Sequence, residues 1–245
     1  MPRDYAYVDY AKLTTQDHNP VKRNLQKLRL AHSLHALREL PVDFSGKILD
    51  FGAGNGELCK QISSRFPQSQ LVCYEPAPML RKQALQNTQG FHNIKVVGNL
   101  QTIENDIFDF IFCLEVFEHL PDGPLEQSLT VQKKLLKTGG RLILGVPNEL
   151  FLPALLKGSF RLTRRYGEVD ARPLNILKAI FGRPPRNRPQ VLFDDLPYII
   201  RHMGFDYRKF RKTVEQYFNI EKTYGSPLPF LPLSLNFEIY FICSK

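Results

Sequence analysis

The segment "CLEVFEHLPDG" (113–123) places two carboxylates and an imidazole close together. An imidazole has an unperturbed pKa of ~6.5, so it can take a proton from a hydroxyl group at neutral pH. We therefore predict His119 as a catalytic base, with Glu118 as the residue that orients its ring. The alternative is structural, with His119 packing at the start of the next helix.

A second segment suited to binding is "ILDFGAGNGE", in which Gly52, Gly54 and Gly56 alternate with other residues. Each glycine costs folding entropy, so three of them need a reason. Bare backbone directly after a buried strand can turn tightly and present N–H groups to a ligand at a helix N-terminus. Nucleotide dehydrogenases usually show G-x-G-x-x-G, but Glu57 occupies the position of that third glycine here. We predict a binding loop of a different class.

Polar residues lie in or directly after the first three predicted strands. Glu75 lies nineteen residues after Gly56, at the end of the second strand, where a carboxylate can accept both hydroxyls of a ribose. Asn99, followed by Leu100, comes after the third strand and could hydrogen-bond an adenine edge, although asparagine is also common in loops. Asp50 could support the glycine loop by accepting its N–H groups. Together these residues predict a nucleoside site.

From Lys47 onward, short apolar runs alternate with helical periodicity, which predicts βαβ units and a parallel sheet with helices on both faces. After Asn148 this rhythm stops. We predict an α/β, Rossmann-like, seven-stranded and mostly parallel sheet whose last strand is antiparallel. The predicted strands are 47–54, 70–76, 93–98, 108–116, 139–147, 217–225 and 236–244, and the predicted helices are 56–66, 78–87, 125–137 and 194–205, with a polar stretch after the last.

The N-terminal region contains one amphipathic helical pattern, over residues 18–40. Asn19 is a plausible N-cap and Pro20 stands at the first helical position. We predict two parts: a helical segment (1–46) that packs on a domain formed by residues 47–245.

Five motifs stand in order over residues 47–148: "LDFGAGNGEL", "CYEP", "VVGNL", "LEVFEHLPD" and "GGRLILGVPN". This set resembles the class I S-adenosylmethionine-dependent methyltransferases, and the closing hairpin suits their antiparallel seventh strand. The segments "NPVKR" and "CLEVFEHLPD" are similar to the ubiquinone-biosynthesis O-methyltransferases and their relatives.

The resemblance implies S-adenosylmethionine as cofactor, bound at Gly52, at Glu75 and through the backbone around Leu114. It also implies that Lys22 or Arg23 faces the carboxylate of the cofactor. The implied reaction is methyl transfer to a small or lipid-like acceptor, in the first place to a hydroxyl oxygen. In the related quinone enzymes, Glu118 together with Glu115 could help hold a metal ion. No other feature demands one, so we predict no metal.

The net charge of +9 is concentrated between Leu150 and Gln190, where nine basic residues face two acidic ones. Apolar clusters interrupt this basic stretch, as in segments that lie at membrane interfaces. We predict that 150–190 and the apolar loop 226–235 form a lid that touches an anionic membrane or shelters an apolar or acidic acceptor. The alternative is a plain solvated insertion.

The sequence shows no apolar signal core, no 18-residue apolar span and no paired cysteine motif, which predicts a cytoplasmic protein, at most peripheral to the inner face of a membrane. A nucleic-acid methyltransferase is an alternative, but it is disfavoured because "LEVF" replaces the (N/D)PP(Y/F) motif of enzymes that methylate base nitrogens. Another alternative is a catalytically silent, cofactor-binding partner protein. The oligomeric state is not predicted.

Overall fold

A computed structural model describes residues 20–193 and 196–245, apart from the side chains of Val21, Lys22, Arg165, Phe193 and Leu196. Nine strands are described: β1 (Lys47–Phe51), β2 (Gln70–Tyr74), β3 (Ile94–Val97), β4 (Phe108–Leu114), β5 (Leu136–Pro147), β6 (Gln190–Phe193), β7 (Leu196–Ile199), β8 (Asn219–Ser226) and β9 (Glu238–Ser244). Seven α-helices are described: α1 (Pro20–Ser33), α2 (Glu57–Arg65), α3 (Pro78–Asn87), α4 (Asp122–Leu135), α5 (Phe151–Arg165), α6 (Pro173–Ile180) and α7 (Tyr207–Val214).

The main sheet has seven strands in the order β3-β2-β1-β4-β5-β9-β8. β1 pairs in parallel with β2 and with β4, and β2 pairs in parallel with β3. β8 and β9 form an antiparallel pair at one edge. These findings confirm the predicted seven-stranded, mostly parallel sheet with an antiparallel closing hairpin.

The strands form where apolar residues run without alternation, because a parallel sheet is covered by helices on both faces. In β1, every residue after Lys47 is buried, and in β4 only Asp109 and Leu114 are partly exposed. Asp50 of β1 is in register with Phe112 of β4. The carboxyl ends of these two strands therefore lie side by side, with Leu114 at the same end as the glycine loop.

The predicted helix at 194–205 is wrong. Residues 196–199 form β7, which pairs antiparallel with β6 in a separate two-stranded sheet. Pro197 lacks a backbone N–H, and such a residue is tolerated in a strand with an open edge but breaks the interior of a helix. Gly204 has φ +99°, outside the helical region.

The stretch that we predicted as merely polar contains a helix, α7. Its N-cap is Asp206, whose side chain accepts a hydrogen bond from the Arg208 backbone N–H. Tyr207, Phe210 and Val214 are buried along one face. The spacing of these three residues was the signal that could have revealed the helix, since i, i+3 and i+7 positions share a face.

The predicted N-terminal helix is present but shorter than 18–40. α1 ends at Ser33 and continues as a 3₁₀ turn over Leu34–Leu37. Pro20 begins the described helix, and the predicted N-cap, Asn19, lies outside the described residues. The boundary at residue 46 stays a prediction.

The chain divides into two compact units. One contains the described residues up to Leu114 together with Lys134–Ile143, and the other contains Glu115–Lys133 and Leu144–Lys245. The basic segment 150–190 belongs to the second unit and is largely helical: α5 and α6 pack together on a small core of Ala154, Ile176, Ala179 and Met203. Among the described helices, none is both long enough and apolar enough to cross a membrane.

Candidate functional site

The glycine loop takes a backbone conformation that L-residues with side chains avoid. Gly52, Gly54 and Gly56 have φ values of 81°, 55° and 76°. The N–H groups of Gly52 and Ala53 donate to the Tyr74 carbonyl at 2.8 and 3.0 Å, which ties the loop to the end of β2. The alternation of glycines therefore reflects three left-handed positions between β1 and α2.

Glu75 lies against this loop. Its Oε2 accepts from the Gly54 N–H at 2.8 Å and its Oε1 accepts from the Ala77 N–H at 2.9 Å. The residue is only 5% exposed, and this burial raises the pKa of Glu75 to about 7 although both amides and Arg81 act in the opposite direction. The sequence prediction thus placed a buried carboxylate next to a bare backbone, as a site for a ribose diol requires.

Asp50 is also buried beneath the loop, but it does not do what we predicted. Its carboxylate accepts from Cys59 Sγ at 3.8 Å rather than from the N–H groups of the loop. Burial and the neighbouring Glu75 raise the pKa of Asp50 to about 7. Two acids with raised pKa values therefore lie at one end of the sheet.

Asn99 acts as a cap. Its Oδ1 accepts from the Gln101 N–H at 2.9 Å and starts the 3₁₀ turn Leu100–Ile103. The side chain is exposed, and its Nδ2 donates to Gln101 Oε1 at 3.3 Å, which leaves one amide hydrogen for a ligand. Arg81, which we did not single out, donates to the Glu75 and Pro76 carbonyls at 3.0 and 2.8 Å and so fixes the chain where β2 ends.

The remaining residues predicted to contact the cofactor lie at the start of α1 and at the end of β4. Lys22 and Arg23 lie in the first turn of α1, and the side chain of Lys22 is not among those described. Leu114 ends β4, and the next residue, Glu115, has φ 56° and donates its N–H to the Gly145 carbonyl at 2.8 Å. A positive φ is uncommon outside glycine and often marks a functional turn.

His119 is held in a well-defined orientation. Its Nδ1 lies 2.8 Å from the Ile199 carbonyl, so Nδ1 carries the proton and Nε2 carries the lone pair in the neutral ring. Tyr198 stacks on the imidazole at 4.5 Å between ring centroids. Burial lowers the pKa of His119, and the positive charge of Arg188 lowers it further. The hydrogen bond to Ile199 and the negative charge of Glu115 act to raise the pKa but do not outweigh burial. The ring is therefore neutral at pH 7, as a proton acceptor must be.

The sequence analysis missed the residues that surround His119 from a distant part of the chain. His202 Nε2 lies 3.2 Å from His119 Nε2, and the buried carboxylate of Glu118 lies 3.7 Å from the same nitrogen. Arg188 donates to the Glu118 backbone carbonyl. Our helix prediction for 194–205 hid the position of His202, and no local motif marks it. Glu115 is not part of this group of three.

A Rossmann-like sheet with a glycine loop after β1 and a carboxylate after β2 is an arrangement that can bind a nucleoside. The family model described as a methyltransferase domain matches residues 21–177. The chain belongs to this family, which confirms the predicted resemblance to S-adenosylmethionine-dependent methyltransferases.

Relatives agree with this assignment. Proteins named ubiquinone biosynthesis O-methyltransferase from Xanthomonas oryzae pv. oryzae and from Xanthomonas campestris pv. campestris are 28% and 30% identical over 128 residues, which is 47% of this chain and 52% of theirs. The protein of that name from Yersinia pestis is 25% identical over 166 residues, covering 56% of this chain and 66% of the relative. The match thus spans about half the length of the first of these relatives.

Solved structures share the fold at low identity. The PH0226 protein from Pyrococcus horikoshii has a TM-score of 0.63 and 14% identity, covering 98% of this chain and 99% of that one. The N-methyltransferase NodS from Bradyrhizobium japonicum, solved with S-adenosyl-L-homocysteine, has a TM-score of 0.56 and 14% identity, covering 94% and 90%.

Proposed function

We propose that the protein transfers the methyl group of S-adenosylmethionine to a hydroxyl oxygen of a small or lipid-like acceptor. The observation that carries this proposal is the Glu75 carboxylate, buried against the Gly54 N–H in a loop of three left-handed glycines. The residues fit the cofactor because a buried carboxylate keeps acceptor capacity for a ribose diol after two amide bonds. The names of the relatives support oxygen as the methylated atom.

The cofactor supplies a methyl group on a positively charged sulfur. Glu75 would accept the ribose hydroxyls, and the backbone of Gly52 to Gly56 would leave room for the ligand. Asp50 lies buried beneath the loop, where it accepts from Cys59 Sγ, and Leu114 would contribute its backbone at the end of β4. Asn99 and Leu100 would contact the base, and Lys22 or Arg23 would face the carboxylate of the cofactor.

Transfer of the methyl group to the acceptor would require the acceptor hydroxyl to lose its proton. The hydroxyl proton goes to His119 Nε2, whose lone pair is directed by the Nδ1 bond to Ile199. Glu118 would orient the ring and stabilise it once it is positively charged. General base catalysis of this kind contributes about 10²- to 10⁴-fold to a rate.

The proposal is tested by titrating the purified protein with S-adenosylmethionine. The Gly54→Arg variant should lose binding, because an arginine side chain fills the loop and strains a position with φ 55°. Gly90→Arg is the matched control, since a Cβ at Gly90 meets nothing within 4 Å. Equal affinity in the wild type and in Gly54→Arg would exclude this loop as the site.

The acceptor is tested with methyl-labelled S-adenosylmethionine and an extract of cells that lack the gene. We expect the label in an apolar product, and we expect it to resist the alkaline hydrolysis that releases methyl esters. Label only in nucleic acid or protein would contradict the proposal. Untargeted profiling of the same cells should show the precursor, lighter by one methyl group.

We also propose that the protein is cytoplasmic and that α5 and α6 rest on an anionic membrane surface. α5 is unusual because its inward face carries charged residues, with Lys157 and Arg161 paired to the buried Glu149. Its outward face is apolar, and α6 continues this character. The exposed apolar residues of the pair are Leu152, Leu155, Leu156, Phe160, Leu174, Leu177 and Phe181.

Basic residues accompany this apolar face. Arg164 lies over the Phe160 ring at 4.2 Å, and Lys178 and Arg183 are exposed beside the apolar positions of α6. In the loop 226–235, Phe230 is 79% exposed. The same loop lies close to α5, because Nδ2 of Asn148, three residues before the helix, donates to the Leu233 carbonyl at 3.0 Å. Apolar side chains next to cations suit an interface with anionic lipids. Such a surface would give the protein access to a lipid-like acceptor.

A further inference from the structure

Three side chains of the second unit point their ligand atoms at one spot. His119 Nε2 and His202 Nε2 are 3.2 Å apart, and Glu118 Oε1 lies 3.7 Å from the first and 4.0 Å from the second. The point equidistant from these three atoms is about 2.1 Å from each, which is the length of a Zn–N or Zn–O bond. We propose that Glu118, His119 and His202 bind a divalent transition-metal ion of the zinc class.

The orientation of His119 supports this site independently of the distances. A histidine that binds a metal through one nitrogen usually donates the other N–H to a carbonyl or carboxylate. His119 has this arrangement, with Nδ1 at 2.8 Å from the Ile199 carbonyl. The parallel ring of Tyr198, inclined by only 9°, limits rotation of the imidazole. The lone pair of Nε2 is thereby fixed toward His202 and Glu118.

The ligand set selects the type of metal. Two imidazole nitrogens and one carboxylate oxygen suit Zn²⁺ and its neighbours, whereas Mg²⁺ prefers oxygen ligands in a regular octahedron. At the point equidistant from the three ligand atoms the metal lies in their plane, so a fourth, tetrahedral position for water or for a ligand oxygen requires the Glu118 carboxylate to move closer to the two imidazoles. This site differs from the Glu115–Glu118 pair implied by the sequence resemblance, because its third ligand is His202, 83 residues beyond His119.

Charged groups of both signs surround the three side chains. Arg188, which donates to the Glu118 backbone carbonyl, is the cation that acts on His119. The Glu115 and Glu149 carboxylates attract a positive charge on His202, and the Lys157 ammonium repels it. Without a metal, the His202 Nε2–H group donates to His119 Nε2, because the proton of His119 is on Nδ1. Metal binding therefore requires His202 to change tautomer, with its proton on Nδ1 instead of Nε2. No proton leaves the ring in this step.

The test uses the full chain after treatment with a chelator. Zn²⁺ is titrated in competition with a chromophoric chelator, and bound metal is counted by elemental mass spectrometry. We expect one Zn²⁺ per wild-type chain. His202→Gln should weaken binding by more than the about 10- to 100-fold that a change outside the ligand shell costs. The matched control is His92→Ala, which removes an exposed histidine and should bind as the wild type does.

Two further measurements separate a lost site from a misfolded variant. Saturating Zn²⁺ should raise the melting temperature of the wild type and of His92→Ala but not of His202→Gln, whose melting temperature without metal reports its folding. Co²⁺ in the wild type should give the intense visible bands of four-coordinate geometry. Equal zinc affinity in His202→Gln, or equally tight binding of Mg²⁺, would overturn the proposal.

The outcome is distinguishable from failure of the proposed function. Binding of S-adenosylmethionine depends on the glycine loop and is measured separately, so a protein that binds the cofactor but no zinc refutes the metal site alone. If zinc binds, it occupies the Nε2 lone pair that we assign to the base. His119 therefore cannot act as base while zinc is bound, and the zinc-loaded protein should not transfer methyl groups through this residue.

Discussion

Arg161 of α5 holds the buried Glu149 carboxylate through two hydrogen bonds, of 2.8 Å to Oε2 and 3.1 Å to Oε1. Lys157, one turn earlier, donates to Oε1 at 3.1 Å. Arg161 also lies 3.8 Å from Asp170, beyond the end of α5. The inward face of α5 therefore combines these ion pairs with the apolar contacts of Ala154 and Leu162, and Leu152, Leu155 and Leu156 lie on the outer face.

Replacing Glu149 by glutamine should destabilise the protein. Burial acts to raise the pKa of Glu149, but Lys157 and Arg161 outweigh it and lower the pKa to about 2. Removing one partner of a buried ion pair costs about 3–5 kcal/mol in the free energy of unfolding, because the remaining charges stay buried. Urea unfolding at pH 7 measures this loss.

The pH dependence checks the same pair. A carboxyl whose pKa is lowered by folding adds stability above its ordinary pKa of 4.5, and this stability is lost as the pH falls through about 2. The difference between wild type and Glu149→Gln should therefore shrink over this interval. Glu215→Gln, which removes an exposed pair with Arg211, is the control and should change stability by less than about 0.5 kcal/mol. A similar loss in both variants would refute the argument.

Some residues of the candidate site could be predicted from the sequence, and others could not. Gly52, Gly54, Gly56 and Glu75 were found because their roles depend on local backbone and on the end of a parallel strand. His202 was not found, because its position depends on a strand pair that Pro197 makes hard to recognise. The charged inward face of α5 was not predicted either, because the pairing of Lys157 and Arg161 with Glu149 depends on how the helix packs. In both cases, contacts formed only in the folded chain determine where the side chains lie.

The affinity for S-adenosylmethionine should increase as the pH rises from 6 to 8. Burial raises the pKa of Glu75 to about 7. Ribose hydroxyls donate most strongly to an ionised carboxylate, so binding favours the deprotonated form. The gain should be at most about tenfold, and binding below pH 7 should release a proton. Calorimetry in buffers of different ionisation enthalpy measures both effects.

Glu75→Gln should bind the cofactor more weakly and lose most of this pH dependence. The comparison with this variant also removes any contribution from the titration of the cofactor itself. Glu104→Gln changes an exposed glutamate of the same unit and should behave as the wild type does. If Glu75→Gln retained the full pH dependence, Glu75 would not be the ribose acceptor.

His119→Ala should lower kcat by about 10²- to 10⁴-fold and leave the affinity for S-adenosylmethionine unchanged. The loss is expected in kcat because the base acts only when the proton moves in the transition state. Tyr198→Phe is the control, since it keeps the stacked ring and removes only the hydroxyl. An unchanged rate in His119→Ala would leave the residue with a structural role.

Gly158→Ala should destabilise the protein by about 1–3 kcal/mol, the usual effect of overpacking. A Cβ at Gly158 would stand 2.5 Å from Ile176 Cγ2, so α5 and α6 could not keep their close approach. Gly123→Ala, in α4, is the control, because a Cβ there meets nothing within 4 Å and should stabilise the helix. Urea unfolding distinguishes the two, and a stabilising Gly158→Ala would show that the helices separate at little cost.

The wild type should sediment with vesicles of phosphatidylglycerol at low ionic strength and not with vesicles of phosphatidylcholine. High salt should release it, because the attraction between basic residues and lipid phosphate is screened. The double variant Leu156→Asp and Phe160→Asp should remain in the supernatant, since it places two negative charges on positions that are 48% and 56% exposed. Leu85→Asp, at a position 54% exposed on α3, should sediment as the wild type does. If both variants sedimented equally, α5 would not be the membrane-binding face, because only the double variant changes the apolar surface of that helix.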